Sequence, residues 1–194
     1  MIDAPKTPPN PFRAAPNLLT LLRICLVPFL VSAILEHRFT LSFGLFFVAG
    51  LTDALDGALA RRFKLRTTLG EYLDPVADKL LLSTLFLAFT YQGLIPMRVT
   101  ALVFGRDVGI LLVAAILYAA TGRREFHPSL LGKANTAVQV ITLLAVLLHQ
   151  LTPAGWVVNL RWLALDATMA LTVLSGLHYA WVVSRRSGSP PTVI

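Results

Sequence analysis

Apolar residues fall into six runs along this chain, separated by short polar or turn-forming breaks. A helix needs about 20 residues to cross a bilayer, and each run reaches or approaches that length. The runs cover 18–35, 41–60, 74–91, 99–120, 135–151 and 157–183. Pro28 predicts a kink in the first, and Pro75 suits the opening turn of the third. Gly93-Leu94-Ile95-Pro96 and Thr152-Pro153-Ala154-Gly155 read as turns between neighbouring helices. The pattern predicts an all-α integral membrane protein with six transmembrane helices over 17–184. A flexible Pro-rich arm at 1–16 precedes them, and a tail at 185–194 follows. No internal repeat or second domain is visible.

Composition strengthens the membrane reading. Of 194 residues, 56% are hydrophobic and 14% charged, against about 25% charged in a soluble domain. The surplus apolar surface has to face lipid. The one cysteine, Cys25, excludes an internal disulfide and is expected to fill space inside an apolar helix.

The net charge of +7 does not point to nucleic acid, because the basic residues are not interleaved with aromatics. They gather at the ends of apolar runs, as on the cytoplasmic side of membrane proteins. With both termini inside, that side holds Lys6, Arg13, Arg61, Arg62, Lys64, Arg66, Arg123, Arg124, Lys133, Arg185 and Arg186. The other side holds only Arg38, Arg98 and Arg161. The arm at 1–16 has no apolar core or cleavage pattern, so a cytoplasmic arm is expected there and not a signal peptide.

The candidate chemistry lies in 53–78, DALDGALARRFKLRTTLGEYLDPVAD. Asp53 and Asp56 are three apart, Asp74 and Asp78 four apart. On helices, each spacing places both carboxylates on one face, about a turn apart. Ionised carboxylates in hydrocarbon must be paired, hydrated or bound to cations. With no His or Cys nearby, hard divalent ions are the natural partners, Mg²⁺ or Mn²⁺ before Zn²⁺. Two such ions would balance four carboxylates and leave positions open for phosphate oxygens, as displacement at phosphorus requires. If Arg61 and Arg62 mark the interface, Asp56 and Asp53 lie roughly 8 and 12 Å below it. The site is then within reach of a water-soluble nucleotide and of lipid head groups.

Asp53, Asp56, Gly57, Ala60, Arg61, Gly70, Asp74 and Asp78 match D-x2-D-G-x2-A-R-x8-G-x3-D-x3-D without a gap. This resembles the signature of the CDP-alcohol phosphatidyltransferases, which pass a phosphatidyl group from a CDP-linked lipid to an alcohol and release CMP. The resemblance implies that bundle fold, with Asp53, Asp56, Asp74 and Asp78 as metal ligands. Asp78 would also draw the proton from the attacking hydroxyl. Gly57, Ala60, Arg61 and Gly70 would make room for and contact the CDP moiety. Pro16, Asn17, Thr20 and Arg23 resemble the entry segment of members that make acidic phospholipids. Asn17 and Thr20 are either nucleotide contacts or a helix cap and a satisfied hydroxyl.

Three stretches, 90–96 (TYQGLIP), 105–108 (GRDV) and 132–139 (GKANTAVQ), resemble the CMP-forming cardiolipin synthases, which join phosphatidylglycerol to CDP-diacylglycerol. The phosphatidylglycerophosphate synthases, with glycerol 3-phosphate as acceptor, are the alternative branch. Lys133 and Arg106 are candidates for the acceptor's phosphate. The alternative for Arg106 is a structural pair with Asp166 or another acid, since Asp107 beside it points away at i,i+1. The family further implies a homodimer in a bacterial or mitochondrial-type inner membrane, with its active site on the cytoplasmic side. Two other classes use intramembrane carboxylates. An Asp-rich prenyltransferase would show a different spacing, and a divalent-ion transporter would place its ligands at the midplane, often with inverted repeats.

Overall fold

The computed structural model describes residues 15–63, 68–121, 130–152 and 154–187. Those residues form six α-helices and no strand: α1 (Ala15–Leu35), α2 (Phe39–Phe63), α3 (Thr68–Tyr91), α4 (Met97–Thr121), α5 (Leu130–Leu151) and α6 (Gly155–Ser187). Residues 1–14, 64–67, 122–129, 153 and 188–194, with Lys6, Arg13, Lys64, Arg66, Arg123, Arg124 and Pro153, lie outside the described residues.

Each apolar run lies inside one helix, and most helices extend further. The largest correction is α3, which begins at Thr68 and not at Asp74. Pro75 therefore sits in the second turn of a helix already under way, where its missing N–H removes one ladder bond. Thr68 and Glu71 have the T-x-x-E spacing of a helix start, a polar signal that the apolar run alone does not contain. Likewise α5 begins at Leu130, which places Gly132 and Lys133 in its first turn.

Two of the described helices, Leu130–Leu151 and Gly155–Val182, are long and apolar enough to cross a membrane. The apolar parts of α1 and α2 are shorter, Thr20–Leu35 and Phe39–Thr52. Large apolar side chains are nonetheless exposed on all six helices, among them Phe29, Phe47, Leu80, Leu111, Ile141 and Leu163. Helices apolar on both their packed and their outer faces suit lipid better than water.

The chain divides into two compact units, Met1–Leu85 and Phe86–Ile194. In the first, α1 packs against α2. Its buried positions Thr20, Arg23, Val27, Leu30 and Ile34 recur at steps of three and four, a single packing seam. Cys25 lies off that seam and is exposed, contrary to the expectation that it fills the helix interior.

In the second unit, α4 and α5 both pack against α6. The α5–α6 contact carries hydroxyls among the leucines. Thr142 donates to the Ala164 carbonyl at 2.9 Å and lies 2.7 Å from the Thr168 hydroxyl. Thr172 donates to Asn135 Oδ1 at 3.0 Å. Thr168, Thr172 and Ser175 form one stripe of α6, at i, i+4 and i+7. Arg161 at the start of α6 donates to the Leu94 carbonyl at 2.6 Å, tying that helix to the α3–α4 turn.

The turn itself explains why α3 stops at Tyr91. Gly93 donates to the Thr90 carbonyl at 3.0 Å and Leu94 to the Phe89 carbonyl at 2.8 Å, with Gly93 left-handed at φ 69°. This is a Schellman stop, which favours glycine. Arg38 donating to Ala33 and His37 to Ile34 close α1 the same way, with His37 at φ 58°. A Cβ at Gly93 would meet nothing within 4 Å, and the same is true of Gly44 inside α2. Gly93→Ala should therefore cost about 1–2 kcal/mol through backbone strain alone. Gly44→Ala should gain about 0.5–1 kcal/mol from helix entropy. Thermal unfolding of the two variants in one detergent should show opposite shifts.

Candidate active site

The acidic signature spans two helices. Asp53 and Asp56 lie one turn apart on α2, Asp74 and Asp78 one turn apart on α3, so the helical spacing expected of each pair is present in the backbone. For Asp53, Asp56, Gly57, Ala60, Arg61, Gly70 and Asp74 only the backbone, within α2 and α3, is described. The same holds for Asn17 in the first turn of α1.

Asp78 is placed with its side chain, and it is not alone. Arg23 of α1 donates through Nη1 to Asp78 Oδ1. The arginine side chain is 1% exposed and the aspartate side chain 43%. The positive charge is thus enclosed, while the negative one faces out with a cation behind it. Arginine stays protonated, so its burial requires such a partner. Sequence reasoning noted Arg23 in a motif and gave it no role. The missed signal is its isolation in an apolar run, where a lone charge demands a counter-charge.

The donor set suits a hard divalent ion. The signature offers carboxylate oxygens alone, and the Asp78 side chain is half-exposed. Among the described residues no three potential ligands come together.

Thr20 is fully buried one turn ahead of Arg23 and already has a bonding partner. On α4, Arg106 departs from expectation. Its Nη1 donates to Asp107 Oδ1 at 2.7 Å and its Nη2 to Ser175 Oγ at 2.8 Å, with both ionic side chains about 10% exposed. The long guanidinium arm curls back to its neighbour, which the divergence of i,i+1 Cβ directions had seemed to prevent. Asp166 is exposed and has no ion pair among the described residues, so the expected basic partner is absent there. Lys133 is exposed in the first turn of α5. Two turns further along the same helix, Gln139 is wholly buried, with neither amide atom bonded among the described residues.

Residues 13–174 match the CDP-alcohol phosphatidyltransferase family. The chain belongs to that family. It is 37% identical over 192 residues to a cardiolipin synthase (CMP-forming) of Rattus norvegicus, covering 88% of this chain and 62% of that protein. The cardiolipin synthase (CMP-forming) of Homo sapiens is 36% identical with the same coverage. A CDP-diacylglycerol–glycerol-3-phosphate 3-phosphatidyltransferase of Bacillus subtilis is 32% identical over 179 residues, 84% of this chain and 92% of that protein. The chain therefore spans about 62% of the length of the rat and human relatives.

In this family member the two described arginine–aspartate pairs differ in what they expose. The Arg106–Asp107 pair is closed to solvent on both sides and anchored to α6 through Ser175. It links α4 to α6. Asp107→Asn removes the counter-charge of an enclosed guanidinium and should cost roughly 3 kcal/mol or more. Ser175→Ala removes one charged-donor bond and should cost about 1.5–3 kcal/mol. Unfolding midpoints in detergent should fall in that order.

Proposed function

We propose that this protein transfers the phosphatidyl group of CDP-diacylglycerol to phosphatidylglycerol, giving cardiolipin and CMP. The half-exposed Asp78 carboxylate with Arg23 behind it, set at the end of the acidic signature, supports the chemistry. The likeness to the rat and human cardiolipin synthases supports the acceptor. The second reading is a phosphatidylglycerophosphate synthase, with glycerol 3-phosphate as acceptor. It is favoured by the Bacillus subtilis relative, which is covered over 92% of its length.

In this reading all six helices cross the membrane, both termini and the active site are cytoplasmic, and the protein is a homodimer. Asp53, Asp56, Asp74 and Asp78 hold two divalent ions, Mg²⁺ or Mn²⁺. When bound, these supply positive charge beside the pyrophosphate oxygens. Gly57, Ala60 and Gly70 leave space for the CDP moiety, with Asn17 and Thr20 at its edge. Arg61 pairs with a phosphate oxygen, for which its forked geometry is suited.

The acceptor's hydroxyl oxygen attacks the phosphorus that carries the diacylglycerol. A new O–P bond forms as the bond from that phosphorus to the bridging oxygen breaks, and CMP leaves with the electron pair. The hydroxyl proton passes to the Asp78 carboxylate, a step worth about 10²–10⁴-fold in rate. Of the two acceptor-phosphate candidates, Lys133 is the exposed cation, whereas Arg106 already has two of its nitrogens engaged. Lys133 is therefore assigned the acceptor's phosphate, and Arg106 supports α4.

Purified protein supplied in parallel with CDP-diacylglycerol plus phosphatidylglycerol, and CDP-diacylglycerol plus glycerol 3-phosphate, should make cardiolipin and no phosphatidylglycerophosphate. The reverse outcome selects the second reading. Chelator should abolish CMP release, as should Asp56→Asn. Asp78→Asn should lower kcat by about 10²–10⁴-fold while sparing donor binding, whereas Asp53→Asn should weaken both. For the acceptor, Lys133→Ala should raise its KM more than the donor's. An unchanged acceptor KM in that variant, with a raised one in a well-folded Arg106→Ala, would reverse the two roles.

A further inference from the structure

The contrast between the two arginine–aspartate pairs carries one step further. A pair that exists only to hide a charge encloses both partners, as Arg106 and Asp107 do at 11% and 10% exposure. Arg23 and Asp78 are asymmetric, at 1% and 43%. The arginine is sunk in the α1 seam between Thr20 and Val27 and comes at the carboxylate from inside the protein. It lies beyond the reach of a substrate, and the group it grips is the one that a substrate can reach.

We propose that Arg23 is a positioning residue for the transfer reaction. It acts through Asp78, fixing where the proton-accepting carboxylate stands and setting the charge around it. This rests on the role given to Asp78 in the proposed function. Two physical effects follow from the contact. A guanidinium bonded to one carboxylate oxygen restricts rotation of the side chain, so the carboxylate meets the incoming hydroxyl in a fixed position. The permanent charge also changes the local balance. Four carboxylates alone would be cancelled by two divalent ions. With Arg23 added, the same site has one positive charge to spare, so the divalent ions are held less tightly.

The second effect gives a signature that a merely structural arginine would lack. Removing Arg23 takes a cation away from a metal ligand, so divalent ions should bind more tightly. Removing it also frees the Asp78 side chain, so turnover should fall. A packing defect would weaken both.

The test uses the full chain in detergent, with Arg23→Gln, Arg23→Lys, Asp78→Asn and the double variant Arg23→Gln/Asp78→Asn. Mn²⁺ binding is followed by electron paramagnetic resonance without substrate, and kcat and donor KM are measured by CMP release. Arg23→Gln should bind Mn²⁺ severalfold more tightly and lose about 10²-fold in kcat, with donor KM within about threefold. Arg23→Lys, which keeps the charge, should recover most of that loss. In the Asp78→Asn background, Arg23→Gln should change the residual rate less than twofold, because the group it acts through is already gone. Wild-type turnover in Arg23→Gln overturns the proposal, and so does an undiminished effect of Arg23→Gln in the double variant. If Asp78→Asn itself turns over normally, the role assigned to Asp78 fails first, and that single variant tells the two failures apart. Should Arg23→Gln unfold, Arg23→Met, which also removes the charge, decides: wild-type kcat, or Mn²⁺ binding weaker than in the wild type, overturns the proposal.

Discussion

A permanently charged guanidinium cannot be left unmatched inside an apolar helix bundle, and much of this structure follows from that constraint. Breaking an enclosed ion pair costs about 3–5 kcal/mol, a large share of a domain's stability. Arg23 and Arg106 both stand in helices that are otherwise almost wholly apolar, and each is met by an aspartate. The two solutions differ. Arg106 turns to its sequence neighbour and to a serine on α6, and so fastens two helices together. Arg23 reaches across to α3 and fastens the helix that carries half of the acidic signature.

Hydroxyls do for α5 and α6 what charges do elsewhere. Thr142, Thr168 and Thr172 bridge the helices at 2.7–3.0 Å. The Val138 carbonyl of its own helix, also 2.9 Å away, competes for the Thr142 hydroxyl proton. Such bonds hold helices together where lipid offers no hydrophobic drive to associate, each at a modest gain. Gln139 stands apart from this economy, buried on the same face of α5 with both amide atoms unbonded among the described residues.

Much of the architecture was legible in the apolar runs. Helix ends at Leu35, Tyr91 and Leu151 agree with the breaks in hydropathy, because turn chemistry and loss of apolar character coincide there. Helix starts were less visible. α3 and α5 begin in polar turns around Glu71 and Lys133, where the backbone is already helical but the side chains are not yet apolar. The acidic signature was legible because its meaning lies in local spacing, and the helices supply that spacing. The Arg23–Asp78 contact was not, since it joins residues 55 apart and no local pattern encodes which helix α1 reaches through that side chain. Arg106 was misjudged because Cβ directions were considered without the length of the side chain.

The separation of Arg23 from its partner also bears on how the chain is assembled. Arg106 is neutralised by the very next residue, so α4 leaves the ribosome with its charge already matched. For α1 the match comes 55 residues later, with α3. Without that aspartate, an arginine in an apolar helix costs about 2.5–3.5 kcal/mol if released into lipid. Of the two, α1 is the helix that relies on a distant part of the chain to cover its charge. The placement of α1 is thus tied to that of α3, which is synthesised later.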